Sequence, residues 1–439
     1  MEPRISVDLK LEYLKLKSAL YDHVNGLPLI ELFYKDVVKM LERRIPVGCL
    51  LITIVNGEEL EKIVTFEHLD QILYESSSKI KLSLGKIGVK EYILASLAPG
   101  GETLVLVLYD TKGKIKINKD FLKDVKKFLE EEIKRRLNNY IAREKLAIPE
   151  PFVVIIERVL ESAPTLRSER QIARELDKMM FEARKMLEKA DYDKKAALLR
   201  IIEQKDVNFV FQPIVNLKDK QIYGFEALAR CSLGEGYNEP ETLFTLAESF
   251  NLLKDLEKTC ALNAIDVFFN FSKNSKKLAN KKLFINLSPP SFTVLLSDEF
   301  LEKIHAYEVP PDYIVIELTE KFLSLDSEEN EAYFDILKRV AKQIGFEIAV
   351  DDVGTGYSTL ERVASLSPHY IKYDRVLFKN IHKDPVKQEL LKTIFDFSKK
   401  INSKLIVEGV ENNKDYEFAV KLGIEFMQGF LFGRPLKLG

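Results

Sequence analysis

Residues 209–228 read FVFQPIVNLKDKQIYGFEAL, and they place two apolar segments, Phe209–Val215 and Tyr223–Leu228, on either side of one short polar turn. Each segment has the length and composition of a β-strand. A crossover between parallel strands needs a dozen or more residues, so the turn at Lys218–Gln221 is too short for one. This stretch therefore predicts an antiparallel hairpin.

Six further apolar segments follow toward the C-terminus: Leu283–Leu287, Ile314–Leu318, Glu347–Val350, Tyr370–Tyr373, Leu405–Val407 and Phe426–Leu431. Amphipathic stretches of helical length separate most of them: Glu241–Phe250, Asp255–Phe269, Glu328–Gln343 and Val386–Lys400. Eight strands with crossover helices are typical of a (βα)8 barrel. We therefore predict a TIM-like barrel over residues 205–439, in which one strand runs antiparallel to the rest.

The N-terminal part of the chain alternates helical and strand-like patterns, which predicts a smaller α/β domain over residues 1–168. Its predicted elements are a helix at Leu27–Arg44, a strand at Val47–Val55, a helix at Glu58–Tyr74, strands at Tyr92–Leu97 and Leu104–Tyr109, a helix at Phe121–Leu137 and a strand at Phe152–Ile156. Residues 169–204 carry apolar side chains at helical spacing without Pro or Gly, so we predict an amphipathic helix that connects the two domains.

Composition excludes several classes of protein. The 66 Lys and Arg residues against 68 Asp and Glu residues leave a net charge of −2, and no basic-aromatic patch suggests a nucleic-acid partner. Cys49, Cys231 and Cys260 lie too far apart for a disulfide framework or a CxxC zinc site, and they suit a reducing compartment. The longest apolar run is too short to span a membrane. We expect a cytoplasmic protein without a membrane partner.

Nearly every predicted barrel strand ends in a polar residue that packing does not require. These residues are Glu226, Asn286, Glu317, Asp351 with Asp352, Lys372 with Asp374, Glu408 with Glu411, and Gln428. Since the carboxyl ends of barrel strands meet on one face, we expect one cluster there. Carboxylates and an amide, without His or Cys, suit Mg²⁺, Mn²⁺ or Ca²⁺. The mutual repulsion of so many carboxylates requires cations.

Each of these residues could also serve a purpose that involves no ligand. The alternatives are an ion pair between Glu226 and Arg230, turn and helix-cap chemistry at Asp351 and Asp352, a solvent-directed amine at Lys372, a structural ion pair at Glu408 and a turn at Gln428. These alternatives would have to hold independently at the same end of every strand, so the cluster is the better interpretation.

Eight motifs follow one another in the second half of the chain: FQPIVNL, FEALAR, INLSPPSF, IELTE, DDVGTGYSTLERV, IKYDR, VEGVEN and QGFLFGRPL. From about Val207 to the C-terminus, the chain thereby resembles the EAL family of cyclic di-GMP phosphodiesterases. The resemblance implies a TIM-like barrel with one antiparallel strand. It also implies hydrolysis of cyclic di-GMP to linear pGpG with two Mg²⁺ or Mn²⁺ ions per active site.

The resemblance assigns a role to each motif residue. The metal ligands would be Glu226, Asn286, Glu317, Asp351, Asp352 and Glu408; the catalytic residues Lys372, Glu408, Asp352 and Glu411; the substrate contacts Gln212, Arg230 and Gln428; and Glu320 would stabilise the loop after Asp352. Two cations about 3.5–4 Å apart would activate a water and hold the phosphate. Lys372 would position that water or stabilise charge, and Glu408 would be a metal-site carboxylate or the proton acceptor, supported by Glu411. Val353 and Cys231 replace the family's usual Phe and Trp, and neither change removes a ligand.

The N-terminal part contains Asn25-Gly26-Leu27-Pro28 with Phe33, which resembles the opening TGLPN…F segment of the GGDEF domain, the ferredoxin-type diguanylate cyclase fold. The signature hairpin would lie at residues 88–92 (GVKEY) or 100–104 (GGETL), and neither reads GGDEF. We expect a degenerate GGDEF-like domain without cyclase activity that regulates the barrel or forms a homodimer. The alternative is an unrelated α/β sensor domain.

Two other functions stay open for the barrel. One is a catalytically silent cyclic di-GMP receptor that signals by a conformational change. The other is an enolase-like Mg²⁺ enzyme, because carboxylates and a lysine on barrel strands also suit proton abstraction.

Overall fold

A computed structural model describes residues 20–54, 66–98, 102–144, 153–160, 168–230, 240–274, 278, 280–320, 328–354 and 360–438. These residues form two units that divide between Ala196 and Ala197. Within this part of the chain, no helix is both long enough and apolar enough to span a membrane.

The first unit is built around a four-stranded sheet. Its elements are α1 (Tyr34–Glu42), β1 (Val47–Ile54), α2 (Phe66–Lys86), β2 (Tyr92–Ser96), β3 (Thr103–Tyr109), α3 (Lys119–Glu144), β4 (Val153–Leu160) and the beginning of α4 (Ser168–Gln204). The strand order is β2-β3-β1-β4, and every neighbouring pair is antiparallel. Alternate residues of β1 face opposite sides: Leu50 and Ile52 pack with α2 and α3, whereas Cys49 and Leu51 pack with α1 and α4.

The predicted strands of this unit are confirmed, and the helices differ at their ends. The sequence predicts one helix over Leu27–Arg44, but residues 27–29 are not helical, because Pro28 disfavours the helical conformation at the residue before it. Helix α2 continues past its predicted end at Tyr74, because the hydroxyl of Ser76 donates to the carbonyl oxygen of Ile72 at 2.8 Å instead of breaking the helix. Residues 58–65, 55 and 152 lie outside the described residues.

The candidate hairpin at residues 88–92 is wrong, because these residues connect α2 to β2. The hairpin of this sheet is formed by β2 and β3, in which Leu94 pairs with Leu106. Its connection includes Gly100 and Gly101, which lie outside the described residues. The second candidate, at residues 100–104, is thus the one that the topology places at a hairpin.

The second unit is a closed eight-stranded barrel. Its strands are β5 (Asn208–Asn216), β6 (Gln221–Arg230), β7 (Lys282–Asn286), β8 (Ile314–Thr319), β9 (Glu347–Val353), β10 (Tyr370–Tyr373), β11 (Lys404–Val407) and β12 (Phe426–Gln428). The helices are α5 (Pro240–Ser249), α6 (Leu253–Asn274), α7 (Asp298–Tyr307), α8 (Glu328–Ile344), α9 (Leu360–Leu366), α10 (Arg375–Phe378), α11 (Pro385–Lys400) and α12 (Asn413–Leu422).

The eight predicted barrel strands and the antiparallel hairpin are confirmed. Strand β5 pairs antiparallel with both of its neighbours, β6 and β12, whereas the other neighbouring pairs are parallel. One strand therefore runs against the other seven, as the short turn after β5 requires.

The barrel packs on its helices through large aromatic side chains. The ring of Phe268 on α6 is fully buried, and its centroid lies 5.7 Å from that of Phe211 and 5.8 Å from that of Phe225. Because Phe211 and Phe225 belong to β5 and β6, Phe268 fastens the hairpin to the helical layer.

We predict that Phe268→Ala lowers the free energy of unfolding of the barrel by about 3–5 kcal/mol, because a cavity forms where three rings meet. Urea unfolding of the full chain measures the change. Phe271→Ala on the same helix is the matched control, since Phe271 is 38% exposed, and its effect should stay below about 1 kcal/mol. Equal losses in the two variants would contradict this assignment.

Candidate active site

The predicted cluster residues point into the barrel because strand side chains alternate with a period of two. Six strands carry an inward apolar residue two positions from a cluster residue; the pairs are Ile214 with Gln212, Phe284 with Asn286, Val315 with Glu317, Ala349 with Asp351, Tyr370 with Lys372 and Phe426 with Gln428. The apolar members form one buried cluster inside the barrel, together with Ile406, which precedes Glu408 by two residues. The polar members therefore form a layer at one end of an apolar interior.

Glu226 is held in this layer by two amides. The Nε2 atom of Gln428 donates to Glu226 Oε2 at 2.6 Å and to Gln212 Oε1 at 3.2 Å. The Nδ2 atom of Asn286 lies 3.1 Å from Glu317 Oε2 and 3.5 Å from Glu226 Oε1. The amides thus contact both oxygens of Glu226 and one oxygen of Glu317, and they leave Glu317 Oε1 without an amide contact.

Lys372 lies at the centre of the layer and is fully buried. Its Nζ atom is 2.8 Å from Glu408 Oε1, 3.0 Å from Glu317 Oε1, 3.0 Å from Asp351 Oδ2 and 3.3 Å from Glu226 Oε2. The alternative of a solvent-directed amine is therefore wrong, because the side chain of Lys372 points inward from β10 toward four carboxylates.

Burial shifts the protonation of this cluster. It raises the pKa of the Glu317, Asp351 and Glu408 carboxyls above their ordinary values, with Lys372 opposing the shift. Burial alone would lower the pKa of Lys372, but the surrounding carboxylates outweigh it and hold the pKa of the amine well above its ordinary range. These shifts favour the charged form of Lys372 and, in the absence of another cation, the neutral forms of the three carboxyls.

Two groups of carboxylates have the geometry of cation sites. One oxygen from each of Glu226, Glu317 and Asp351 lies within 4.8 Å of the others, and the same holds for Asp351, Asp352 and Glu408. We call these groups the Glu226 triad and the Asp352 triad; they share Asp351. The Oε1 atom of Gln428 is a buried acceptor that receives no hydrogen bond within the described residues, and Glu317 Oε1 faces the ammonium of Lys372 at 3.0 Å. This all-oxygen donor set fits Mg²⁺ or Mn²⁺.

The backbone after Asp351 has an uncommon conformation. Asp352 has a φ of 59°, a left-handed value that Asp tolerates better than most residues, and Gly354 has a φ of 107°. The backbone N–H of Gly354 donates to Glu320 Oε2 at 3.1 Å. Thr355–Thr359, in the motif that follows, lie outside the described residues. Asp351 and Asp352 are strand residues, so the alternative of helix capping is wrong for them.

Three polar residues of the motifs stand apart from the cluster in the described part of the chain. Asp374 is a helix cap, because its Oδ1 atom accepts from the backbone N–H of Val376 at 2.8 Å. Glu411 is exposed and makes no described hydrogen bond to Glu408, since Val410 occupies the buried position between them. Arg230 donates to the carbonyl oxygen of Ala229 at 2.7 Å, and no described ion pair joins it to Glu226.

Sequence reasoning missed one carboxylate beside the cluster. Glu257 on α6 is buried, and it accepts hydrogen bonds from Ser288, which follows Asn286 by two residues. In the sequence it is one charged residue on an amphipathic helix, so no local signal separates it from the exposed residues around it.

Comparison with known proteins places this barrel in a family. Residues 195–435 match the family model of the EAL domain. PdeR, a cyclic di-GMP phosphodiesterase of Escherichia coli (strain K12), is 31% identical over 246 residues, which are 54% of this chain and 35% of PdeR. PdeA, a probable cyclic di-GMP phosphodiesterase of the same strain, is 29% identical over 248 residues, which are 54% of this chain and 31% of PdeA. The chain thus spans about a third of the length of these relatives.

A solved structure is also similar to this chain. It is a standalone EAL protein from Vibrio cholerae O395 in its c-di-GMP bound form, with 28% sequence identity and a TM-score of 0.45, and the match covers 52% of this chain and 92% of that one. The family match contains all eight barrel strands and both carboxylate triads, and the chain therefore belongs to the EAL domain family.

Proposed function

We propose that this protein is a metal-dependent phosphodiesterase that hydrolyses cyclic di-GMP to linear pGpG. The observation that carries the proposal is the pair of carboxylate triads that share Asp351 and surround Lys372. The names of PdeR and PdeA support the choice of substrate. The predicted cytoplasmic location belongs to the same proposal and rests on the sequence.

The residues of the two triads divide the chemistry between them. The Glu226 triad with Asn286 would hold one divalent cation and the Asp352 triad the other; bound cations of this kind lower the pKa of a water and neutralise charge on a phosphate. Lys372 would place a positive charge beside the scissile phosphate. In the absence of a cation, burial, followed by the charge of Asp351, raises the pKa of Asp352 to about 7.

The substrate contacts follow from the family resemblance. Gln212 already bonds to Gln428 at the layer, so a bound nucleotide would meet an oriented amide there. The guanidinium of Arg230 matches a phosphate in geometry better than an ammonium would. The supporting role of Glu411 beside Glu408 rests on the family resemblance alone, since its side chain is exposed.

We predict that the purified full chain converts cyclic di-GMP to pGpG when Mn²⁺ is present, as measured by chromatography of the nucleotides. Glu226→Gln should lower kcat/KM by about a hundredfold, because it removes one charge from a cation site. Glu417→Gln on α12, which changes an exposed glutamate, is the matched control and should retain turnover. Tight nucleotide binding without turnover, in the wild type, would favour the receptor function instead.

We predict that Mn²⁺ binding releases protons, and more of them near pH 6 than near pH 8. The raised pKa of Asp352 means that the folded chain keeps this proton until the pH rises through about 7. The neutral Asp352 carboxyl stabilises the fold fully below the ordinary pKa of Asp, 3.8. This stabilisation is lost as the pH rises from that value through about 7. Since a cation needs the carboxylate, binding must expel the proton.

Calorimetric titrations of Mn²⁺ in buffers with different ionisation enthalpies count the protons released. Asp352→Asn cannot lose a proton at this position, so the count near pH 6 should fall by about one. The same count in the variant and the wild type would contradict the role of Asp352.

We further propose that the first unit is a degenerate GGDEF-like domain of ferredoxin type that regulates the barrel or forms a homodimer. Its β-α-β-β-α-β order with the strand arrangement β2-β3-β1-β4 supports the ferredoxin-type part. The Asn25 Nδ2 atom donates to Ser96 Oγ at 2.9 Å, and Asp22 accepts from the Val24 N–H at 2.8 Å. The Asn25–Ser96 bond holds the NGLP segment against the end of β2.

Regulation predicts that the barrel behaves differently without the first unit. The turnover of cyclic di-GMP by residues 197–439 should differ from that of the full chain by about fivefold or more, in either direction, because allosteric coupling has that magnitude. Circular dichroism checks that the shorter chain is folded. Equal kcat and KM values in the two chains would argue against a regulatory first unit.

A further inference from the structure

Two buried carboxylates outside the triads make the same kind of contact. Each accepts the backbone N–H of the residue that lies two positions after a cluster residue. Glu320 accepts from Gly354, which follows Asp352, and Glu257 accepts from Ser288, which follows Asn286. The two contacts lie on different loops at the same end of the barrel.

The contact of Glu257 is the more extensive of the two. The N–H of Ser288 lies 3.1 Å from Glu257 Oε2 and 3.2 Å from Oε1, and the Ser288 hydroxyl donates to Oε2 at 2.6 Å. Glu257 is only 7% exposed. No Lys, Arg or His side chain in the described ranges forms an ion pair with it, so neutral donors, above all those of Ser288, hold this carboxylate.

Such an arrangement is costly for stability alone. Burial raises the pKa of Glu257, although the Ser288 donors oppose the shift. A buried carboxylate without a cationic partner is expensive, and an apolar side chain would fill the same space on α6 at lower cost. Glu257 therefore serves the geometry of the loop that contains Ser288 and not the stability of α6.

The loop that Glu257 holds carries the amide of the Glu226 triad. Leu287 donates its N–H to the carbonyl oxygen of Glu317 at 3.0 Å, so residues 286–288 are held by β8 on one side and by α6 on the other. The Asn286 amide contacts Glu226 and Glu317, two members of that triad. A shift of Ser288 would therefore move the amide that orients both carboxylates.

We propose that Glu257 is a positioning residue for the divalent-cation site of the Glu226 triad, in the way that the family resemblance already implies for Glu320 at the loop after Asp352. This inference rests on the metal binding of the proposed function. Residues behind a metal ligand orient it, and their loss commonly weakens metal affinity by about 10–100-fold. Each cation site thus has its own buried carboxylate that fixes one loop.

The test is a calorimetric titration of Mn²⁺ into the full chain without substrate. The wild type should bind two ions. Glu257→Gln should lower the affinity for one Mn²⁺ ion by about tenfold or more. Glu320→Gln should lower the affinity for the other ion. The double variant should weaken the binding of both ions, because each substitution acts on a different loop. Asp255→Asn is the matched control, since it removes an exposed carboxylate from the same helix, and both affinities should stay unchanged.

Three results would overturn the inference in distinguishable ways. Two unchanged affinities in Glu257→Gln would overturn it and leave the proposed function standing. If the double variant bound Mn²⁺ no more weakly than one of the single variants, the assignment of Glu257 to one cation site and Glu320 to the other would be overturned. A wild type that binds no Mn²⁺ would overturn the metal-dependent function itself.

A second variant covers the case in which Glu257→Gln does not fold, as judged by circular dichroism. Ser288→Ala removes the hydroxyl contact to Glu257 and keeps the backbone N–H contact. It should weaken the same cation by a smaller factor, and unchanged Mn²⁺ affinity in Ser288→Ala would then overturn the inference.

Discussion

The arrangement of carboxylates at the end of the barrel depends on the contacts that the buried ammonium of Lys372 makes with them. One carboxylate oxygen from each of Glu226 on β6, Glu317 on β8, Asp351 on β9 and Glu408 after β11 lies within 3.3 Å of its Nζ atom. Five carboxylates and one ammonium leave four negative charges in this layer when all are ionised, and two divalent cations would neutralise them. Without those cations, burial raises the pKa values of the Glu317, Asp351 and Glu408 carboxyls, which favours their neutral forms. Lys372 thus links the strands that carry these four carboxyl groups.

The alternation of strand side chains lets one set of strands serve stability and chemistry. Phe284, Val315 and Tyr370 fill the barrel interior, and the residues two positions later form the polar layer. Because the same strands carry both, the apolar interior positions the carboxylates to within hydrogen-bonding distance of Lys372. Loops then refine the layer, as Glu320 does at Gly354 and Glu257 at Ser288.

Much of the cluster was predictable because packing gives an apolar strand no reason to end in a carboxylate. Two predicted members of the cluster, Asp374 and Glu411, have side chains that do not point toward it. Asp374 follows Lys372 by two residues and would face the same way if β10 continued, but the strand ends at Tyr373 and Asp374 caps α10. Glu411 follows a buried valine and points to solvent. Sequence spacing places a residue at a strand end, and the turn after that end decides where its side chain points.

The sequence by itself determined the eight barrel strands, the antiparallel opening and the residue types at the strand ends, because periodicity, turn length and composition are local properties. Only the tertiary structure decided that Lys372 points inward to four carboxylates, that Asp351 belongs to both triads, and that Glu257 on α6 supports the loop after Asn286. Those facts depend on distances between residues far apart in the chain, and barrel closure sets such distances.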